Sequence, residues 1–376
     1  MSNSIELDDN ACEITEWDLM AYKKLVSIDL TEEQISQLRN PKTVFEREDS
    51  IIAIHWHPEM APVEIVEERI VKMFPNARES LIIPTQHNIL MQCGNYSGVE
   101  VDCEAKEFNR KIQLLLHFRN ESLANANILK SMLEHTFRYR QTQFYEYMET
   151  IVNSKYEKRL QKAVRQTGME EDIVRFVRIY TKKFKKLLDA NYSETPIVSI
   201  KNKLLTNYFF LLTEFYDQHI IDKAIILLLE VKRVMKRSFS IDYFYEVNEI
   251  IEEARRQGAG IIVPHPEQYW PVLLADYDVD GIEVWNPQSR EFTEFLINVI
   301  IRKNKQRNTS RPLLVMMGDD THMSEKFLPR HAQSPDKVAR EVGYQPAWHE
   351  ITIIKSLNMG DFDRNRMILE YKNRLK

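Results

Sequence analysis

Apolar and polar positions along this chain follow two different rhythms. In the first, short apolar runs alternate with helical periodicities. SIIAIHWH, residues 50–57, is a continuous apolar run of the length of a buried strand. PVEIVEERIVKMF then repeats apolar residues at three- and four-residue spacing, as a helix does. SLIIPTQH, SGVEVD and IQLLLHF follow as further short runs. Later, VNEIIEEARRQGAG predicts a helix ended by glycines, leading into the strands GIIVPHP and DGIEVWNP. REFTEFLINVIIRKNKQ predicts a helix, PLLVMMGDDTH a strand, and DRNRMILEYKNRLK a last helix. Strands alternating with helices predict an α/β layered or barrel fold. Ahead of them, short helices are expected, one capped by Thr31 before EEQISQLRN.

The second rhythm fills the middle. Between Asn120 and Ser238 only Gly168 and Pro196 interrupt long helical stretches such as DIVRFVRIYTKKFKKLL. We expect an all-helical insertion over 119–239, flanked by an α/β domain in two parts, 48–118 and 240–376, with a helical extension at 1–47. Charge marks the same module: Arg119 to Arg237 carries 22 Lys/Arg against 14 Asp/Glu, whereas the whole chain has a net charge of −5. Because it starts just after His117, the insertion is expected to overhang the strand ends as a cap. Its lysines suit a polyanion such as single-stranded nucleic acid, with the aromatics of FRYRQTQFYEY and NYFFLLTEFY as stacking faces. The plainer expectation is that these aromatics are helix cores and the lysines a solvated face. A bundle of this kind also suits pairing with a second copy of the chain.

Composition adds exclusions. The 43% hydrophobic and 28% charged content is that of an ordinary globular protein. Three cysteines without a CxxC pair fit a reducing compartment. The acidic start MSNSIELDDN lacks the basic and apolar regions of a secretory signal. Runs such as AIILLLEV fall far short of the ~20 apolar residues a spanning helix needs. A cytoplasmic protein without membrane association is expected.

The histidines carry the chemistry. Of ten, six stand at or just past predicted strand ends. Strand alternation places His55 and His57 on one face, so both rings can reach one ion. His87 follows IIPTQ, His117 ends IQLLL, His265 ends GIIVP, and His322 follows VMMGDDT two residues after Asp320. C-terminal strand ends of parallel α/β folds converge on one rim. Imidazole and carboxylate are ligands of Zn²⁺, Mn²⁺ and Fe²⁺.

HWH, QH, GVE, LLLH, VPHP and GDDTH, in this order, resemble the PHP phosphoesterases, the polymerase and histidinol phosphatase superfamily. The resemblance covers roughly residues 48–118 and 240–325. It implies a distorted seven-stranded β/α barrel of TIM-like form and a metal-dependent hydrolase of phosphate esters using two or three divalent ions. His55, His57 and Asp320 would bind a first ion. Glu100 would bridge it to a second, held also by His117 and His265, while His87 and His322 would hold a third. Arg119, on the strand face of His117, is a candidate for a substrate phosphate, with Arg330 and His331 behind it. The substrate would be a phosphorylated small molecule or single-stranded nucleic acid.

This chain departs from the family pattern near the third ion. Val63, Pro58 and Gln86 stand where members usually carry Asp or His, Ser, and Asp. Glu59 or Glu64 substitutes, the site holds two ions, or both glutamates are ordinary surface residues at a helix start. Two other readings compete: an amidohydrolase-type metal enzyme, which also opens with HxH, and a partner-binding scaffold with a degenerate site.

Overall fold

The computed structural model describes residues 13–307, 311–328 and 333–376. Arg330 and His331 therefore lie outside the described residues. The strands are β1 (Ser50–Ala53), β2 (Trp56–His57), β3 (Glu79–Ile82), β4 (Met91–Cys93), β5 (Tyr96–Ala105), β6 (Arg110–Arg119), β7 (Gly260–Val263), β8 (Gly281–Trp285), β9 (Leu314–Met317) and β10 (Thr321–His322). The helices are α1 (Glu16–Val26), α2 (Glu32–Arg39), α3 (Val63–Met73), α4 (Asn127–Val152), α5 (Glu157–Thr167), α6 (Glu171–Ala190) and α7 (Lys203–Leu211). They continue with α8 (Gln218–Ser238), α9 (Val247–Arg256), α10 (Thr293–Arg307), α11 (Pro335–Val338), α12 (Ile351–Met359) and α13 (Arg364–Arg374). Among the described residues no helix is long and apolar enough to cross a membrane.

The chain divides into two compact units, one of residues 1–29 with 138–240, the other of 30–137 with 241–376. The second is mixed α/β. Its main sheet has six strands in the order β4-β5-β6-β7-β8-β9, and two parallel pairs, β1-β3 and β2-β10, stand apart from it. Among the described residues these ladders do not close into a ring.

The direction of β6 decides which strand ends meet in this sheet. β5 and β6 form a ten-residue antiparallel hairpin, Tyr96 opposite Arg119 and Ala105 opposite Arg110. The connection is only 106–109, with Asn109 at φ +50, too short for the crossover that parallel strands require. β6 is also antiparallel to β7, with His117 opposite Gly260. The C-terminal end of β6 thus lies beside the start of β7, not beside its end. The convergence of strand ends expected for a parallel sheet therefore does not extend to His117 and Arg119.

The run SIIAIHWH is two short strands with Ile54 and His55 between them. Trp56 is fully buried among Leu38, Val66 and Ile70, while His55 and His57 lie with ring centroids 5.5 Å apart.

The helical unit has its own core. Phe144, Tyr147, Phe176, Phe184, Tyr208 and Phe209 are buried in it, so these rings pack helices and are not open stacking faces. Inside it lies Asp18 of α1, 1% exposed, 2.7 Å from Lys183 of α6 and 2.9 Å from the Tyr208 hydroxyl of α7. Burial works to raise the Asp18 carboxyl, yet Lys183, Thr15 and Tyr208 outweigh it and hold it below its ordinary value of 3.8.

Asp18→Ala leaves Lys183 buried without its carboxylate and should cost roughly 3–5 kcal/mol, read by denaturant unfolding. Because the folded carboxyl is depressed, the pair's contribution is complete above pH 3.8 and is lost as the pH falls below it. Equal stability of variant and parent at pH 7 would refute this account.

Candidate metal centre

In the α/β unit, residues from separate elements meet around Glu100 of β5, which is 1% exposed. His265 Nε2 lies 3.3 Å and His55 Nε2 3.8 Å from its Oε1. On the other side His57 Nε2 is 3.7 Å from Oε2, and His87 Nδ1 approaches the same oxygen. Asp320 Oδ1 stands 3.2 Å from His57 Nε2, 3.7 Å from His55 Nε2 and 3.4 Å from His322 Nε2. The parallel pairing of β2 with β10 sets His57 directly opposite His322. His57 stacks on both His87 and His322, with centroids 4.3 Å away in each case, and those two rings are 5.8 Å apart.

The outer nitrogens of three of these rings decide their tautomers. His55 Nδ1 is 2.9 Å from Glu283 Oε2, and a carboxylate only accepts, so Nδ1 carries the hydrogen. The Tyr269 hydroxyl donates to the Pro264 carbonyl at 2.7 Å and so accepts from His265 Nδ1 at 3.3 Å. His322 Nδ1 faces Glu59 Oε1 at 3.4 Å, and Ser324 donates to the other Glu59 oxygen. In His55, His265 and His322 the Nδ1 hydrogen is thus engaged, and Nε2 points toward carboxylate oxygens. Such a contact needs positive charge, either a second proton on the ring or a metal ion between the atoms.

The ionisation pattern reports the same demand for positive charge. Burial would lower the His55 ring, but Glu283, with Asp320 and Glu100, raises it to about 10. His265 and His322 are also raised against burial, chiefly by Glu100 for the first and by Asp320 for the second. His57 goes the other way: burial and its two imidazole neighbours push it down to about 3. It stays neutral, and neither of its nitrogens has an aligned hydrogen-bond partner. His55 Nε2 is likewise buried without one. Groups so costly to bury are what a cation would satisfy.

Three overlapping sets could each hold an ion: His55, His57 and Asp320; His55, Glu100 and His265; and His57, His87 and His322. Ligand atoms within each set lie within 4.8 Å of one another. The structure thus gathers His55, His57, His87, Glu100, His265, Asp320 and His322.

His117 is not in these sets. Its Nε2 is 2.9 Å from the Ile54 carbonyl and its Nδ1 2.6 Å from the Tyr371 hydroxyl, so both nitrogens are engaged by protein. Arg119, farther along β6, donates from Nε to the Leu375 carbonyl at 2.9 Å. The antiparallel run of β6 carries both away from the end of β7 that leads to His265. Near the third set, Glu64 is exposed on α3, while Glu59 sits against His322. Gln86 accepts from the Glu59 backbone N–H at 3.1 Å.

Four residues of the centre escaped the sequence reading: Glu283, Arg340, Gln288 and Tyr269. Glu283 also accepts from the backbone of His265 at 3.0 Å. Arg340 and Gln288 donate to Asp320 Oδ2 at 2.8 and 2.7 Å, leaving Oδ1 for the interior. For Glu283 a signal existed, since a carboxylate inside the buried run GIEVW needs a partner. Glu59, His265 and Asp320 all have positive φ, +55, +28 and +45. Such backbone costs of order 1–3 kcal/mol per residue and concentrates at functional sites.

No protein-family model matches the chain, and no curated protein matches it. A crystal structure from Bifidobacterium adolescentis, provisionally described as a metal-dependent phosphoesterase, is similar at 12% identity over 90% of this chain and 98% of that one. Its TM-score is 0.43, a likeness too distant to carry an argument.

A Cβ on Gly318 would fall 2.0 Å from Glu283 Oε1 and 2.9 Å from His55 Nδ1. Gly318→Ala and Glu283→Ala should therefore weaken divalent-ion binding by about 10–100-fold with far-UV circular dichroism unchanged. Parent-like affinity in both variants would refute the role given to Glu283.

Proposed function

We propose that this chain is a metal-dependent phosphoesterase whose buried cluster holds two or three divalent ions. The observation that carries the reading is the convergence of histidine Nε2 atoms and carboxylate oxygens around Glu100, with buried ring nitrogens of His55 and His57 that lack an aligned hydrogen-bond partner. Imidazole and carboxylate together suit Zn²⁺, Mn²⁺ or Fe²⁺. Bound there, such ions supply Lewis acidity toward water and toward a phosphoryl oxygen.

The protein's own groups do the rest. Glu100 offers Oε1 to the side of His55 and His265, and Oε2 to the side of His57 and His87, as a bridging carboxylate does. Glu283, Tyr269 and Glu59 hold three rings in the tautomer that presents Nε2. Arg340 and Gln288 fix Asp320 with Oδ1 inward.

Phosphate is favoured over amide substrates on two grounds. The ordered motifs HWH, QH, GVE, VPHP and GDDTH resemble the PHP phosphoesterases. A centre whose inner carboxylates are Glu100 and Asp320 also stays net positive with two or more dications, which suits an anionic ester. The family's distorted barrel belongs to the same proposal.

Protein purified without chelator or histidine tag should carry two or three ions per chain by elemental analysis. It should hydrolyse a generic phosphate monoester, a diester or an oligonucleotide, and lose that activity on chelation. His55→Ala/His57→Ala should lose both ions and activity. A parent without ions, or with turnover indifferent to chelation and to the double substitution, would sink the proposal.

A further inference from the structure

The C-terminal helix reaches the back of the metal centre through two side chains. Tyr371 of α13 is fully buried, with its hydroxyl 2.6 Å from His117 Nδ1. His117 Nε2 is 2.9 Å from the carbonyl of Ile54, the residue just before His55. A carbonyl only accepts, so Nε2 carries the hydrogen and Nδ1 accepts from the Tyr371 hydroxyl. The run phenol, imidazole, carbonyl is directional and leaves His117 no lone pair for an ion. Burial keeps the ring neutral, pushed down to about 3.

The target lies between two short strand ladders. Strand β1 ends at Ala53 and β2 begins at Trp56, so Ile54 and His55 belong to neither ladder. The bond from His117 fixes the Ile54 carbonyl, at the peptide from which His55 extends, while the His55 carbonyl accepts from the Asp320 N–H at 2.9 Å. Space for it is built in on both sides: His117 is flanked across β6 by Gly98 and Gly260. A Cβ on Gly98 would meet the Pro84 carbonyl at 2.4 Å and His117 Cδ2 at 3.1 Å, and one on Gly260 would meet Leu375 Cδ2 and the Tyr371 hydroxyl, each at 2.6 Å. The end of α13 is itself pinned. Arg374 donates to the Asp280 and Pro312 carbonyls, and the Leu375 carbonyl accepts from Arg119.

We infer that His117 and Tyr371 are positioning residues of the metal centre, setting the His55 backbone from the C-terminal helix rather than touching an ion. The inference rests on the proposal that the cluster around Glu100 binds metal. It gives LLLH a supporting role where the family resemblance implies a ligand.

The test is calorimetric titration of chelator-stripped full-length protein with Mn²⁺, comparing the parent with Tyr371→Phe, Gly260→Ala and His117→Gln. Tyr371→Phe removes one hydroxyl, and Gly260→Ala displaces it without deleting any group. All three variants should bind as many ions as the parent, with affinity lowered about 10-fold. A His117→Gln protein short of one ion would make His117 a ligand and overturn the inference. Parent-like affinity in Tyr371→Phe would overturn it too, even if melting of the metal-free protein shows a loss of stability, because that pattern is a structural role alone. A parent that binds no Mn²⁺ would overturn the metal reading, and this inference with it.

Discussion

A carboxylate cannot be buried among imidazoles without compensating positive charge, from ring protons or from metal ions, and in this protein that constraint falls on Glu100. Four histidines, His55, His57, His87 and His265, face its two oxygens, and Asp320 adds a second acid to the same space. Burial raises the cost of every unbalanced charge there. The surrounding architecture can be understood as the means of holding these groups in place against their mutual repulsion. Short parallel pairs deliver His57 and His322 side by side, and the β5–β6 hairpin delivers Glu100.

The means are mostly carboxylates one layer out. Glu283 and Glu59 take the outer hydrogens of His55 and His322, and the Tyr269 hydroxyl does the same for His265. Each fixes which nitrogen is turned inward, a choice a free imidazole leaves open. Neighbouring groups also restrain strained backbone: Glu283 accepts from the N–H of His265, and Arg340 donates to the carbonyl of Asp320. Strain at His265 and Asp320 is therefore tolerated because hydrogen bonds from neighbouring elements over-determine both residues.

The helical unit stands on a separate core. Of its two aromatic stretches, Phe144, Tyr147, Tyr208 and Phe209 are buried in that core, and the ion pair of Asp18 with Lys183 ties α1 to α6 inside it. Its basic surface keeps the charge that the sequence shows, but its buried aromatic rings are not available to bases.

How much was legible depends on the range of each interaction. Alternating apolar runs are local, so the strands around HWH, GVE, VPHP and GDDTH, and the helices between them, could be read from the chain alone. So could the placing of His55 and His57 on the side opposite Trp56, since alternation needs only neighbouring residues. Strand direction is not local. Nothing in IQLLLHFR says that β6 runs against β7, yet that direction sends His117 to the Ile54 carbonyl and Arg119 to the Leu375 carbonyl instead of toward Glu100. Nor does spacing reveal Arg340, Gln288 or Tyr269, which meet the centre only after distant segments fold together. The residue types able to bind an ion were determined by the sequence. Which nitrogen each ring presents was decided by tertiary structure, because a tautomer is set by the partner on the ring's far side.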